Sequence, residues 1–132
     1  MNDMHWPALV TLATLALGFA TAWIVGNARV KYGIRAPATA GHEMFDRAYR
    51  VQMNTLETTV LFLPALWLCA WYFSAAIAAA IGTVWVVARL WYAVAYLREP
   101  KSRGTAFGLA YAAWGALMLA AAWGVLRALL AA

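Results

Sequence analysis

Four apolar stretches, at residues 6 to 28, 47 to 73, 75 to 97 and 105 to 131, take up nearly all of this 132-residue chain. Each can cross a bilayer, since ~30 Å of hydrocarbon takes roughly 20 helical residues at about 1.5 Å per residue. Lipid offers no partner for backbone N–H and C=O groups, so runs of this length must close their hydrogen bonds within a helix. The expected fold class is therefore an all-α membrane protein, a four-transmembrane-helix bundle, with residues 1 to 132 forming one domain. Composition agrees: 66% of residues are hydrophobic and 11% charged, against about 25% charged in soluble domains. The opening MNDMHWPALV carries no lysine or arginine ahead of its apolar run, and that run is longer than a signal-peptide core, which predicts a retained span.

The connections differ in kind. RVKYGIRAPATAGHEMFD (29 to 46) and REPKSRG (98 to 104) carry the Gly, Pro and charge of loops in water. The second and third spans meet at Ser74 with almost nothing between them, which predicts a tight antiparallel hairpin. Of the 10 basic residues, Arg29, Lys31, Arg35, Arg47, Arg50, Arg98, Lys101 and Arg103 flank the two loops. The positive-inside rule then puts both loops in the cytoplasm and both termini outside. That rule, together with anionic membrane lipids as partners, accounts for the net charge of +5, and no nucleic-acid partner is expected. Cys69 is the single cysteine, so no intramolecular disulfide forms and it reads as a buried packing residue. Gly104, Gly108, Gly115 and Gly124 are the expected points of close helix approach. His5 and His42 fall on opposite sides of the membrane, and no metal site is expected.

Against this apolar background, RAYRVQMNTLE (47 to 57) is anomalous. Arg47, Arg50, Asn54 and Glu57 step by three, four and three residues and share one helix face. The apolar run from Thr58 to Phe73 spans about 24 Å, which sets Glu57 near the inner edge of the hydrocarbon. Arg89, Tyr92 and Tyr96 form a second stripe on the third span. Counting back from Ser74 sets Tyr92 at the depth of Glu57 and Tyr96 at that of Asn54. Such residues also serve structure: intramembrane arginine and glutamate pair to fix helix register, and boundary tyrosines anchor at the headgroups. Arg89 fits either reading, lining a pocket or pairing within the bundle. As an inventory, however, guanidinium, carboxylate, amide and phenol suit a small zwitterion with several carboxylates, such as glutathione. Pro64, inside the second span, is expected to bend it.

RAYRVQMNTLE followed by FLPALW, then ARLWYAVAY, then a short basic loop with a further arginine, resembles the MAPEG family, the membrane-associated proteins in eicosanoid and glutathione metabolism. The resemblance covers essentially the whole chain. It implies a homotrimer of four-helix subunits that binds glutathione between neighbours near the cytoplasmic face. Arg50, Asn54 and Glu57, helped by Gln52, would hold the tripeptide's polar ends. Tyr92 and Tyr96 would complete the pocket and Arg29 would enter from a neighbour. Arg103 falls where the family's leukotriene and prostaglandin E synthases carry the arginine that activates the thiol. Thr58 follows the glutamate where the leukotriene synthases carry tyrosine, which is nearer the prostaglandin E synthase pattern and makes leukotriene synthesis the less expected activity. The Ala-rich, compact chain resembles a bacterial member, hence a multi-pass protein of the bacterial inner membrane with its site facing the cytoplasm.

The activity so implied is that of a glutathione transferase or peroxidase, in which the thiolate attacks a lipophilic small-molecule substrate arriving from the bilayer. Trp23, Phe107, Tyr111 and Trp114 are candidates for the groove that admits it. Two other classes compete: a non-enzymatic lipid-binding scaffold of the same family, against which Arg103 and the full polar stripe argue, and a four-span drug/proton antiporter, which wants its carboxylate deep in the first span.

Overall fold

A computed structural model describes residues 3–132. The described residues form helices α1 (His5–Tyr32), α2 (Glu43–Tyr72), α3 (Ala75–Arg98) and α4 (Gly104–Leu130), with a 3-10 turn at Pro100–Arg103. All four α-helices are long and apolar enough to cross a membrane, and the chain is an integral multi-pass membrane protein. Large apolar side chains cover its outside, with Phe19, Trp23, Val60, Trp71 and Leu119 each more than half exposed, as a lipid solvent favours.

The helix ends follow local chemistry. α1 stops at Gly33, whose φ of 69° suits glycine, with the Gly33 N–H on the Arg29 carbonyl. α2 starts four residues before position 47, because His42 caps it: the imidazole Nδ1 accepts from the Met44 N–H at 3.1 Å. Glu43 and Asp46 in the first turn favour the same start by complementing the helix dipole. The α2–α3 hairpin turns on Ser74, whose Oγ accepts from the Ile77 N–H at 3.3 Å. Between α3 and α4, Pro100 opens the 3-10 turn, and Ser102 Oγ donates to the carbonyls of Ala95 and Glu99 at 3.3 and 2.7 Å. This turn brings Arg103 to the start of α4, beside the end of α3.

Packing is close where α1, α2 and α3 meet. The Phe62 and Trp85 rings stack at 3.7 Å with 2° between their planes. At Gly82, a β-carbon would lie 2.8 Å from Leu66 Cδ1 and 2.9 Å from Val10 Cγ1. Trp67 Nε1 donates to Thr11 Oγ1 at 3.1 Å, tying α2 to α1. Pro64 leaves the Val60 carbonyl without its intrahelical donor, and at the adjacent Leu61 carbonyl the Trp114 indole N–H donates from α4 at 3.1 Å.

Within one subunit the glycines of α4 divide. The buried stripe of this helix runs through Ala106, Ala110, Ala113, Leu117, Ala121 and Gly124. Gly124 lies on that stripe, where an added β-carbon would sit 2.4 Å from the Tyr72 carbonyl oxygen. Gly104, Gly108 and Gly115 lie off it, with nothing within 4 Å of a β-carbon. The Ala-rich start of α3, AAIAAAIG, also suits close approach, and it is realised at Gly82, a position the sequence reading did not single out because an isolated glycine carries no spacing signal.

Candidate functional site

The polar residues of α2 separate by their position around the helix. Asn54 turns inward and is buried. Its Oδ1 accepts from Arg89 Nη2 at 2.9 Å, and Thr55 Oγ1 accepts from the same nitrogen at 3.2 Å. The Arg89 guanidinium also lies over the Tyr92 ring, 4.1 Å from its centroid, and the residue is 0% exposed. Its Nε and Nη1 have no hydrogen-bond partner. Among the described residues the single ion pair is Arg47 with Glu43, so no carboxylate neutralises Arg89. The open question about Arg89 is thereby answered: it faces the bundle interior and binds Asn54, not an acid. Counting from Ser74 set Tyr96 opposite Asn54, but the long Arg89 side chain makes that contact from nearer the hairpin. Arg47 donates to the carbonyls of Leu97 and Arg98 at 3.4 and 3.1 Å, satisfying the C-terminal end of α3.

At the end of the bundle that carries the basic loops, Arg50, Asn54, Tyr92, Tyr96, Arg103, Gly104 and Phe107 line one cavity of about 400 Å³. α2 supplies its arginine and amide, α3 its phenols, and the 3-10 turn its second arginine. The Arg103 guanidinium lies 5.1 Å from the Tyr96 ring centroid. Tyr92 touches Tyr96 and Phe107 at centroid separations of 5.7 and 6.1 Å, which makes an aromatic wall with Arg103 over its Tyr96 face. Such a cavity presents donors and positive charge, and it suits an anionic ligand of a few dozen atoms at most.

Of the other residues expected at the site, none lines this cavity within one chain. Gln52 opens onto a separate space of about 260 Å³, shared with Thr14, Gly18, Thr21 and Thr59. Two residues from Arg50 is about 200° around a helix, so the two cannot share a face. Glu57 is exposed on the outside of α2. Arg29 donates to the Ala38 carbonyl at 2.8 Å and covers the Phe45 ring at 4.9 Å, holding the first loop against α1. The groove residues also divide. Phe107 lines the cavity, Tyr111 and Trp114 line a narrow slot with Thr58, Leu61 and Trp85, and Trp23 stands apart on α1 beside Phe19. Thr55 was not anticipated as a partner of the site, because a threonine in a span is usually bonded only to its own backbone.

Residues 7–123 match the MAPEG family. An uncharacterized protein from Synechocystis sp. is 44% identical over 82% of this chain and 79% of its own length. Human microsomal glutathione S-transferase 2 is 35% identical over 80% of this chain and 72% of its own length. Bovine leukotriene C4 synthase is 36% identical over 86% of this chain and 77% of its own length. A match over nearly the whole chain, with relatives above 30% identity across most of their length, shows that this four-span protein belongs to the MAPEG family.

Proposed function

We propose that this protein is a glutathione-dependent enzyme of the bacterial inner membrane that conjugates the tripeptide to a lipophilic electrophile. The observation that carries the reading is the convergence of Arg50, Asn54, Tyr92, Tyr96 and Arg103 on one cavity beside the basic loops. The Arg50 guanidinium and the Asn54 amide suit the carboxylates and peptide oxygens of glutathione, Arg103 is left for its thiol, and an aromatic wall excludes water from one side of that sulfur. The name of one relative, microsomal glutathione S-transferase 2, supports the same substrate.

A free thiol has a pKa near 8.5, so only a few per cent is thiolate at neutral pH. Arg103 holds the sulfur as its anion by charge alone and keeps its own proton. The thiolate's electron pair then forms a carbon–sulfur bond, and the electrophile's leaving group departs with the displaced pair, or its opened oxygen takes a proton from water. With a hydroperoxide instead, sulfur attacks the terminal oxygen, the O–O bond breaks and its pair leaves with the alcohol, and a second glutathione displaces water from the resulting sulfenic acid to give the disulfide. The lipophilic partner enters from the bilayer past Phe107, Tyr111 and Trp114.

The working assembly is a homotrimer, the whole chain acting as one domain in each subunit. Within one chain the residues lining the cavity include no carboxylate for the ligand's ammonium, and Gln52 and Arg29 face elsewhere. A neighbour packed along α1 and α2 brings Arg29 and Gln52 of one copy toward Arg50 and Glu57 of the next, and it covers polar groups that lipid does not solvate. Calorimetric titration of glutathione into detergent-purified protein tests the reading. Saturable binding is expected, together with ultraviolet thiolate absorbance at neutral pH; absence of both sinks it.

A further inference from the structure

Asparagine offers a ligand either a carbonyl oxygen or an N–H₂ group, and which one faces the cavity determines what it selects. Arginine has donors only. The contact of Arg89 Nη2 with the Asn54 side chain therefore has a single chemically allowed sense, with Oδ1 toward Arg89. Asn54 also lines the cavity, and none of the hydrogen bonds among the described residues uses its Nδ2. We infer that Arg89 is a positioning residue that locks the Asn54 amide with its N–H₂ group toward the cavity, so that this wall selects a hydrogen-bond acceptor oxygen, a carboxylate or peptide carbonyl of the ligand.

Three features make the lock strong. Arg89 is wholly buried, so water does not compete for its donors. Thr55 Oγ1 accepts from the same Nη2 and fixes the guanidinium against α2. On the other side, the Tyr92 ring lies under the guanidinium, and Tyr92 lines the cavity as well. Arg89 thus stands behind the cavity and touches two of its wall residues. Among the described residues no carboxylate neutralises it, so its charge adds to the positive potential that an anionic ligand meets. Flipping the amide would set Asn54 N–H₂ against a buried guanidinium and strand donors on both sides, which makes the opposite orientation costly.

The inference rests on glutathione being the ligand, and the test separates the two. Asn2, Asn27 and Asn54 are the only asparagines, so side-chain ¹⁵N labelling of asparagine yields three N–H₂ signals, and Asn54→Asp identifies one of them. Adding glutathione to the parent is expected to shift that signal. Asn54→Asp keeps an acceptor for Arg89 but presents acceptor oxygens to the cavity. It should unfold at or above the parent's temperature while binding glutathione at least about ten-fold more weakly, the scale of one charge-assisted hydrogen bond. Arg89→Met should weaken binding by about the same factor, and Arg89→Lys, which retains a donor for Oδ1, should recover most of it. If Arg89→Met does not fold, the labelled parent and Asn54→Asp decide. A parent that fails to bind glutathione overturns the functional reading and this inference with it. A parent that binds glutathione with an unmoved Asn54 signal, or an Asn54→Asp variant that binds as the parent does, overturns the inference alone.

Discussion

Arg103 lays its guanidinium over the face of Tyr96, 5.1 Å from the ring centroid, and both residues line the cavity that holds Arg50 and Asn54. An aromatic face orients a cation without neutralising it. A carboxylate in the same position would consume the charge that the proposed chemistry needs for a thiolate. The ring also makes Tyr96 testable apart from its hydroxyl. Tyr96→Phe keeps the platform and should hold turnover within a few-fold of the parent. Tyr96→Leu removes it and should cost about 1 kcal/mol of transition-state stabilisation, or roughly five-fold in kcat/KM. Steady-state kinetics with a model electrophile distinguish the two. Equal losses in both variants would point to the hydroxyl.

The packing contrast among the glycines predicts a matching contrast in stability. Gly124→Ala drives a β-carbon against the Tyr72 backbone and Gly82→Ala drives one against Leu66 and Val10, so each should lose about 1–3 kcal/mol, the range for overpacking a close-packed interior. Gly108→Ala and Gly115→Ala meet nothing within 4 Å and should be neutral or slightly stabilising within the subunit, since alanine favours a helix by about 1 kcal/mol over glycine. Thermal unfolding in mild detergent measures all four, and a destabilised Gly108→Ala would show that this face of α4 packs against another copy.

The proposed sharing of the site between subunits makes a genetic prediction. Arg29→Ala and Arg50→Ala should each weaken glutathione binding by about 2 kcal/mol, as for loss of a charge-assisted hydrogen bond. If the two arginines act from different copies, random mixing of the variants in one homotrimer regenerates an intact site at about a quarter of the interfaces. Co-expressed, differently tagged chains should therefore recover tight binding at that fraction of sites. No recovery in mixed assemblies, or a dimer mass by light scattering after subtracting detergent, would refute the shared trimeric site.

Much of this architecture was legible because lipid removes alternatives. Runs such as TTVLFLPALWLCAWYF have no stable form in hydrocarbon but a helix, and the Ser74 hairpin follows from the absence of any loop there. Helical spacing also grouped Tyr92 with Tyr96 and Arg50 with Asn54, which do share a cavity. Spacing does not resolve where along the edge of a face a residue points. Glu57 belongs to the same stripe as Asn54, yet one is exposed and the other buried. The role of Arg89 was open because its partners, Asn54 and Thr55, are 35 and 34 residues away, and only the packed hairpin brings them together.

The orientation of the bundle has a direct chemical test. Ala38 lies in the first basic loop and is exposed, while the native Cys69 is fully buried and should be silent to thiol reagents. In intact cells, Ala38→Cys should resist a membrane-impermeant maleimide and become labelled only after permeabilisation. A cysteine added after Ala132 should be labelled from the outside. The opposite pattern would reverse the orientation, despite the eight basic residues that flank the two loops.

Arg103 should act on chemistry more than on binding. It approaches the cavity from the 3-10 turn and is itself exposed, so removing it leaves Arg50 and Asn54 to hold the ligand. In the proposed mechanism its charge matters most when negative charge concentrates on sulfur. Arg103→Ala should therefore keep glutathione affinity within a few-fold while lowering turnover by about 10²-fold, the scale for losing one electrostatic stabiliser of the transition state. The sign of the pH effect follows from the same charge. With Arg103 present, the pKa of the bound thiol should fall below its free value near 8.5, and in the alanine variant it should rise back toward it. The acid limb of the rate profile then moves to higher pH, so part of the lost activity returns as the medium becomes alkaline. Arg103→Lys should recover part of the shift, because a mobile ammonium supplies the charge without the planar stack on Tyr96. Ultraviolet absorbance of the bound thiolate against pH reads the pKa directly. The same pKa in the parent and the alanine variant would remove Arg103 from the chemistry and leave Arg50 as the remaining guanidinium on the cavity wall.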